Sequence, residues 1–153
     1  MLTYQDIAIL EQQIYTQHTV ASLLDHAYKA LPNECCGLLL ANGTIHPANN
    51  VAHLLGDARL TQRTAFMIDQ DSWSKASNRE SPIIGIYHSH TDGNADMSPS
   101  DRLYLNRPEL CYLIIGITEQ YTNIKLHWWT EQELHHIIIQ QQERRIDEDT
   151  KHQ

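Results

Sequence analysis

Two short, almost unbroken apolar runs, PIIGIY at 82–87 and LCYLIIGI at 110–117, do most to limit what this chain can become. Both are strand length and neither alternates with polar residues, so each predicts a strand covered on both faces. The first run leads directly into His88-Ser89-His90. Side chains two apart on a strand share a face, so the two imidazoles aim to the same side at metal-ligand spacing while Ser89 points away. Of the ten histidines, only these two stand at strand spacing. Left unpartnered, each ring would cost about 1 kcal/mol or more, and a ligand that uses both nitrogens accounts for the pair.

A polar loop containing Gly93 and Asn94 follows, and then Ser98-Pro99-Ser100-Asp101. Those four residues predict a helix start, with Ser98 as N-cap and Pro99 at the first helical position. Asp101 would sit on the first turn, able to return a carboxylate to the strand end as a third ligand. Ser-x-x-Asp is also a near-match to a capping box, a purely structural reading of the same residues. Upstream, residues 33–41 predict another buried strand, and Asn42-Gly43 predicts a hairpin returning over 44–51. Glu34 stands at the mouth of that strand. An acid there is either a solvated strand end or a carboxylate placed beside a metal-bound water, as hydrolysis requires.

The remaining chain supplies covering elements. Val20, Leu23, Leu24, Ala27 and Leu31 fall at helical spacing before Pro32, predicting an amphipathic helix laid on a sheet. Residues 1–18 fit neither period cleanly and are compatible with an irregular lead-in, a strand or a helix. Residues 52–63 read as loop, 64–68 as a short strand, and 70–78 as a helix capped by Asp69. A further helix is expected from Pro99 to about Asn106. Residues 122–129 form another expected strand, whose adjacent Trp128 and Trp129 cannot both face inward. Ile137-Ile138-Ile139 suggests a last strand or helical turn, and the polar end from about residue 140 is expected to fray.

With 153 residues and 41% hydrophobic content, one domain spanning 1–153 is the default. A formal charge of -8, with no basic cluster beyond Arg144-Arg145, disfavours nucleic acid and anionic membranes as partners. Cys35, Cys36 and Cys111, an odd number in apolar settings, read as reduced buried thiols. The opening MLTYQDIAILEQQ lacks a basic n-region and no apolar run is long enough to span a bilayer, so a cytoplasmic protein is expected.

These residues together resemble the JAMM (MPN-plus) zinc metalloproteases of the JAB domain family. That signature is a glutamate on an early strand, then His-Ser/Thr-His, seven residues, Ser, two residues and Asp. The chain offers Glu34 within Glu-x-Cys-Gly-x-Leu, then His88-Ser89-His90, the seven residues 91–97, Ser98 and Asp101. The likeness extends over about residues 20–130, through Leu-Pro-Asn-Glu before the first strand and FMID before the central segment. It implies an α/β fold with a mixed central sheet flanked by helices, in the JAB/MPN (cytidine deaminase-like) architecture. It also implies one Zn2+ per chain held by His88, His90 and Asp101, with Glu34 as general base and acid and Ser98 donating to the oxyanion. One departure stands out: many bacterial members carry Pro after the second histidine, and Thr91 here leaves the 91–97 loop less constrained.

Other His-x-His enzymes match less well. A metallo-β-lactamase motif needs a histidine where Gly93 stands, an amidohydrolase barrel needs about 250 residues, and a zinc deaminase needs a Cys-x-x-Cys pair. The resemblance implies a protein substrate. Bacterial relatives release ubiquitin-like proteins, including sulfur carriers, by cutting after a C-terminal Gly-Gly tail, which would bind as an added strand along a sheet edge. Phage-tail-assembly peptidases resemble the same stretch, and members without the ligands serve as non-catalytic scaffolds.

Overall fold

The computed structural model describes residues 1–143. Residues 144–153, with Arg144, Arg145 and most of the tail expected to fray, lie outside that range. Helix α1, Tyr4–Thr16, resolves the ambiguous start. Thr3 and Asp6 close a capping box over its first turn, and Ile7, Leu10 and Ile14 form its buried stripe. Ile9 and Tyr15 are 56% and 44% exposed, and these outward apolar residues blur the period. Helix α2, Thr19–Ala30, follows as expected and buries Leu23 and Ala27 completely.

The expected hairpin is formed by β1, Cys36–Leu40, and β2, Ile45–Ala48, paired antiparallel. Asn42 Oδ1 accepts from both the backbone and the hydroxyl of Thr44, which fixes the turn. Helix α3, Gln70–Ser77, starts at Asp69, whose carboxylate accepts the Ser72 N–H at 3.1 Å. Then come β3, Ile83–His90, and α4, Pro99–Tyr104. Strands β4, Cys111–Ile117, β5, Tyr121–Thr130, and β6, Glu133–Glu143, complete the order.

Two expectations change. Residues 64–68 make no strand, only the isolated bridge of Ile68 to Asn50, because the Asn50 side chain occupies the backbone groups a ladder would use. Helix α4 stops at Tyr104 rather than near Asn106. The triple isoleucine lies in β6, the strand alternative, whose pairing runs on through Gln140 opposite Ile124 to Glu143 opposite Tyr121.

The sheet order is β2-β1-β3-β4-β5-β6, with β3 and β4 parallel and every other pair antiparallel. Strand alternation sorts the core into two layers. Leu113 and Ile115 of β4, with Leu126 and Trp128 of β5, meet α1 and α2 on one face. Tyr112 and Ile114 turn the other way, toward Ala95, Met97 and Leu105, while Cys36 and Leu38 meet Ala76 of α3. Trp128 is fully buried in the first layer, and Trp129 on the second face donates to the Leu105 carbonyl at 2.8 Å. All three cysteines are free and buried. Among the described residues, no helix is long and apolar enough to cross a membrane.

Candidate metal centre

Strand β3 delivers His88 and His90 to the second face, at the end where α4 begins. Their Nε2 atoms lie 3.1 Å apart. Asp101 completes a triangle, with Oδ1 3.3 Å from His88 Nε2 and Oδ2 3.1 Å from His90 Nε2. Among the described residues this is the one group of three ligand-type side chains close enough to share an ion.

His90 Nδ1 lies 2.8 Å from the Asn94 carbonyl, which accepts, so Nδ1 carries the proton and the neutral ring turns a bare Nε2 inward. The Asp101 carboxylate is an acceptor as well, so the place between the three groups suits a proton or a cation. A tetrahedral ion bound at about 2.0–2.1 Å spaces its ligand atoms about 3.3 Å apart, close to the separations seen here. The donor set therefore fits a divalent ion of zinc type. Burial holds His88 neutral, the form that ligates, while the Asp101 carboxylate raises His90 against its burial. Burial likewise opposes ionisation of Asp101, but its hydrogen bonds with the two imidazoles outweigh that and keep it well below the usual carboxylate range.

The capping-box reading of Asp101 is realised, with the same carboxylate brought up to the two imidazoles. Ser98 Oγ accepts the Asp101 N–H at 3.0 Å, and Asp101 Oδ2 accepts the Ser98 N–H at 3.0 Å, a complete capping box. The Ser98 hydroxyl proton remains free to donate elsewhere.

Glu34 reaches the site through register. Cys36 pairs with His88 in the antiparallel β1–β3 ladder, and the Ser89 N–H donates to the Cys35 carbonyl at 3.0 Å, so the pairing continues one step beyond β1. Glu34 follows next, its N–H bonded to the Gln62 carbonyl and its carboxyl close enough to His90 and Asp101 to feel both charges. Burial lifts its carboxyl to about 7, with His90 pulling it back and Asp101 and Asp92 adding to the rise. A carboxyl poised there is suited to taking and returning a proton near neutral pH.

Two other residues have roles visible only in the fold, Phe66 of the FMID stretch and Asn50. Phe66 stacks on His88, ring centroids 4.2 Å apart, and fixes a ring whose Nδ1 has no protein hydrogen-bond partner. Asn50 donates to the Glu34 carbonyl at 3.0 Å and the Ala65 carbonyl at 2.9 Å, and accepts from the Ala52 and Met67 N–H groups. It thereby joins the Glu34 backbone to the segment bearing Phe66. The 91–97 loop is also better held than Thr91 implies, because Asn123, Lys125 and His127 of β5 each bond to it.

A family model described as prokaryotic homologs of the JAB domain matches residues 16–145. Among solved structures, the chain is similar to the solution structure of a Desulfitobacterium hafniense protein, at 26% identity and a TM-score of 0.61. That match covers 78% of this chain and 86% of the other. A Salinibacter ruber protein is more distantly similar, at 21% identity and a TM-score of 0.49 over 73% of this chain and 80% of the other. No curated protein of described function matches. The extent of the family match, together with a mixed six-stranded α/β sheet and a His-His-Asp cluster at the end of its third strand, places this chain in the family of prokaryotic JAB domain homologs.

Proposed function

We propose that this chain is a zinc-dependent peptidase or isopeptidase acting after the C-terminal tail of a ubiquitin-like or sulfur-carrier protein. The observation that carries this reading is the convergence of His88, His90 and Asp101 at ligand separation with the Glu34 carboxyl near enough to feel the charges of His90 and Asp101. A bound zinc ion would polarise the scissile carbonyl and make a water nucleophilic at neutral pH. Glu34 takes the proton of the attacking water and passes it to the leaving amine. Ser98 donates its hydroxyl proton to the oxyanion that develops on the substrate carbonyl. His88 and His90 remain neutral nitrogen ligands, and Asp101 supplies the one anionic ligand.

The test is metal analysis together with hydrolysis of a fusion in which a ubiquitin-like domain ending in Gly-Gly precedes a reporter. The purified protein carries about one zinc per chain. Asp101→Ala loses it, and Glu34→Gln keeps it but no longer cuts. Cutting by Glu34→Gln would end the general-base assignment, and partner binding that survives chelation with no hydrolysis would identify a scaffold instead.

A further inference from the structure

On β5, Asn123, Lys125 and His127 alternate onto the face that carries the metal ligands. Each holds the loop after His90. Asn123 Nδ2 donates to the Gly93 carbonyl at 2.9 Å, His127 Nε2 donates to the Ala95 carbonyl at 2.8 Å, and Lys125 Nζ bonds Asp96 Oδ1 at 2.7 Å. Between the first two contacts sits Asn94, whose carbonyl receives the His90 Nδ1–H at 2.8 Å.

The neighbouring strand is shaped for the same contact. Gly116 of β4 pairs with Asn123, and a Cβ placed on it would strike the carbonyl of Gly93 and the backbone of Asn94. The loop thus rests directly on the β4 backbone while β5 grips it from the side. His127 is 2% exposed and bonds the Ala95 carbonyl, and among the described residues its buried Nδ1 has no hydrogen-bond partner. Core packing alone does not account for a buried imidazole with one nitrogen unsatisfied, since an apolar residue of similar size would fill the space at lower cost.

We propose that Asn123, Lys125 and His127 are positioning residues that set the tautomer and angle of His90 by fixing the Asn94 carbonyl. The inference rests on the metal-site reading, and acts through a ligand's hydrogen-bond partner rather than on substrate.

Chelator competition for zinc, paired with imidazole nitrogen NMR of the metal-free protein at alkaline pH, tests it on the full chain. Asn123→Leu and His127→Phe weaken zinc binding by about tenfold, as loss of an outer partner of a ligand does. His127→Gln, which keeps an N–H donor, recovers most of that loss. In the metal-free wild type His90 is an Nδ1–H tautomer, and the two variants shift it toward a mixture. Should His127→Phe fail to fold, Lys125→Met in the middle of the row provides the comparison, with a weakening of a few-fold. Folded variants with wild-type zinc affinity and an unchanged His90 tautomer would overturn the proposal. A wild type that binds no zinc would remove the metal reading, and the His90 tautomer would still decide whether the row positions it.

Discussion

Ser89 Oγ accepts the backbone N–H of Cys35 at 2.7 Å, and the Ser89 N–H returns a bond to the Cys35 carbonyl at 3.0 Å. The residue separating the two histidine ligands therefore ties their strand to the segment that carries Glu34. Ser89→Ala strands a buried N–H, which costs about 1–3 kcal/mol of stability. His88 and His90 keep their places, so zinc affinity stays near wild type while turnover on the Gly-Gly fusion falls at least about tenfold, as expected when a catalytic group drifts by a fraction of an ångström. Ser89→Thr, which keeps the hydroxyl, restores turnover. Thermal melts, zinc titration and turnover measured on the same three proteins check this. Wild-type turnover in a folded Ser89→Ala protein would show that the bond serves stability alone.

The His-His-Asp cluster was legible because strand alternation and the Pro99 helix start are local rules, and local rules bring His88, His90 and Asp101 together as candidates without knowledge of the fold. Glu34 was legible as a candidate, but its relation to His90 depends on the β1–β3 register, which no single segment encodes. Phe66, Asn50 and the β5 row were not legible. Phe66 sits in a segment that reads as strand, and that reading failed because Asn50, distant in sequence, takes over its backbone hydrogen bonds. The first helix was legible only as one of three alternatives, although Thr3 and Asp6 have capping-box spacing, and Ile7, Leu10 and Ile14 form a helical stripe once Ile9 and Tyr15 are set aside as exposed.

Glu34 makes the stability of the metal-free protein depend on pH in a particular direction. Its carboxyl titrates at 4.5 when free and at about 7 in the fold, so between those values the folded chain holds a proton that the unfolded chain has released. This contribution is fully present below pH 4.5 and is lost as pH rises to about 7. The difference amounts to at most about 3 kcal/mol. Glu34→Gln removes that slope, so the variant gains on wild type between pH 4.5 and pH 8. Burial of His127, which pushes its pKa down to about 4, gives a slope of opposite sign over part of the range, but that slope is common to both proteins and cancels in the comparison. Urea unfolding in the presence of a chelator at the two pH values measures it. Parallel curves for the two proteins would mean that Glu34 ionises as it does in water.

One oxygen of Asp101 serves both the helix and the metal site: Oδ2 accepts the Ser98 N–H at 3.0 Å and faces His90 Nε2 at 3.1 Å. Asn at this position keeps a carbonyl oxygen for the cap but gives up the negative charge that makes the group a ligand. Asp101→Asn accordingly keeps the cap but gives up the bonds that hold the carboxylate ionised, so in chelator at neutral pH it is less stable than wild type. Its zinc affinity falls by more than about a hundredfold, beyond the loss typical of an outer partner. Asp101→Ala loses the same affinity and about a further 1 kcal/mol of stability, because the Ser98 N–H is left without its acceptor. Chelator competition and thermal unfolding on the two variants separate the contributions. If Asp101→Asn binds zinc as wild type does, the carboxylate is a helix cap alone and the ion, where it binds, is held by the two imidazoles and groups other than Asp101.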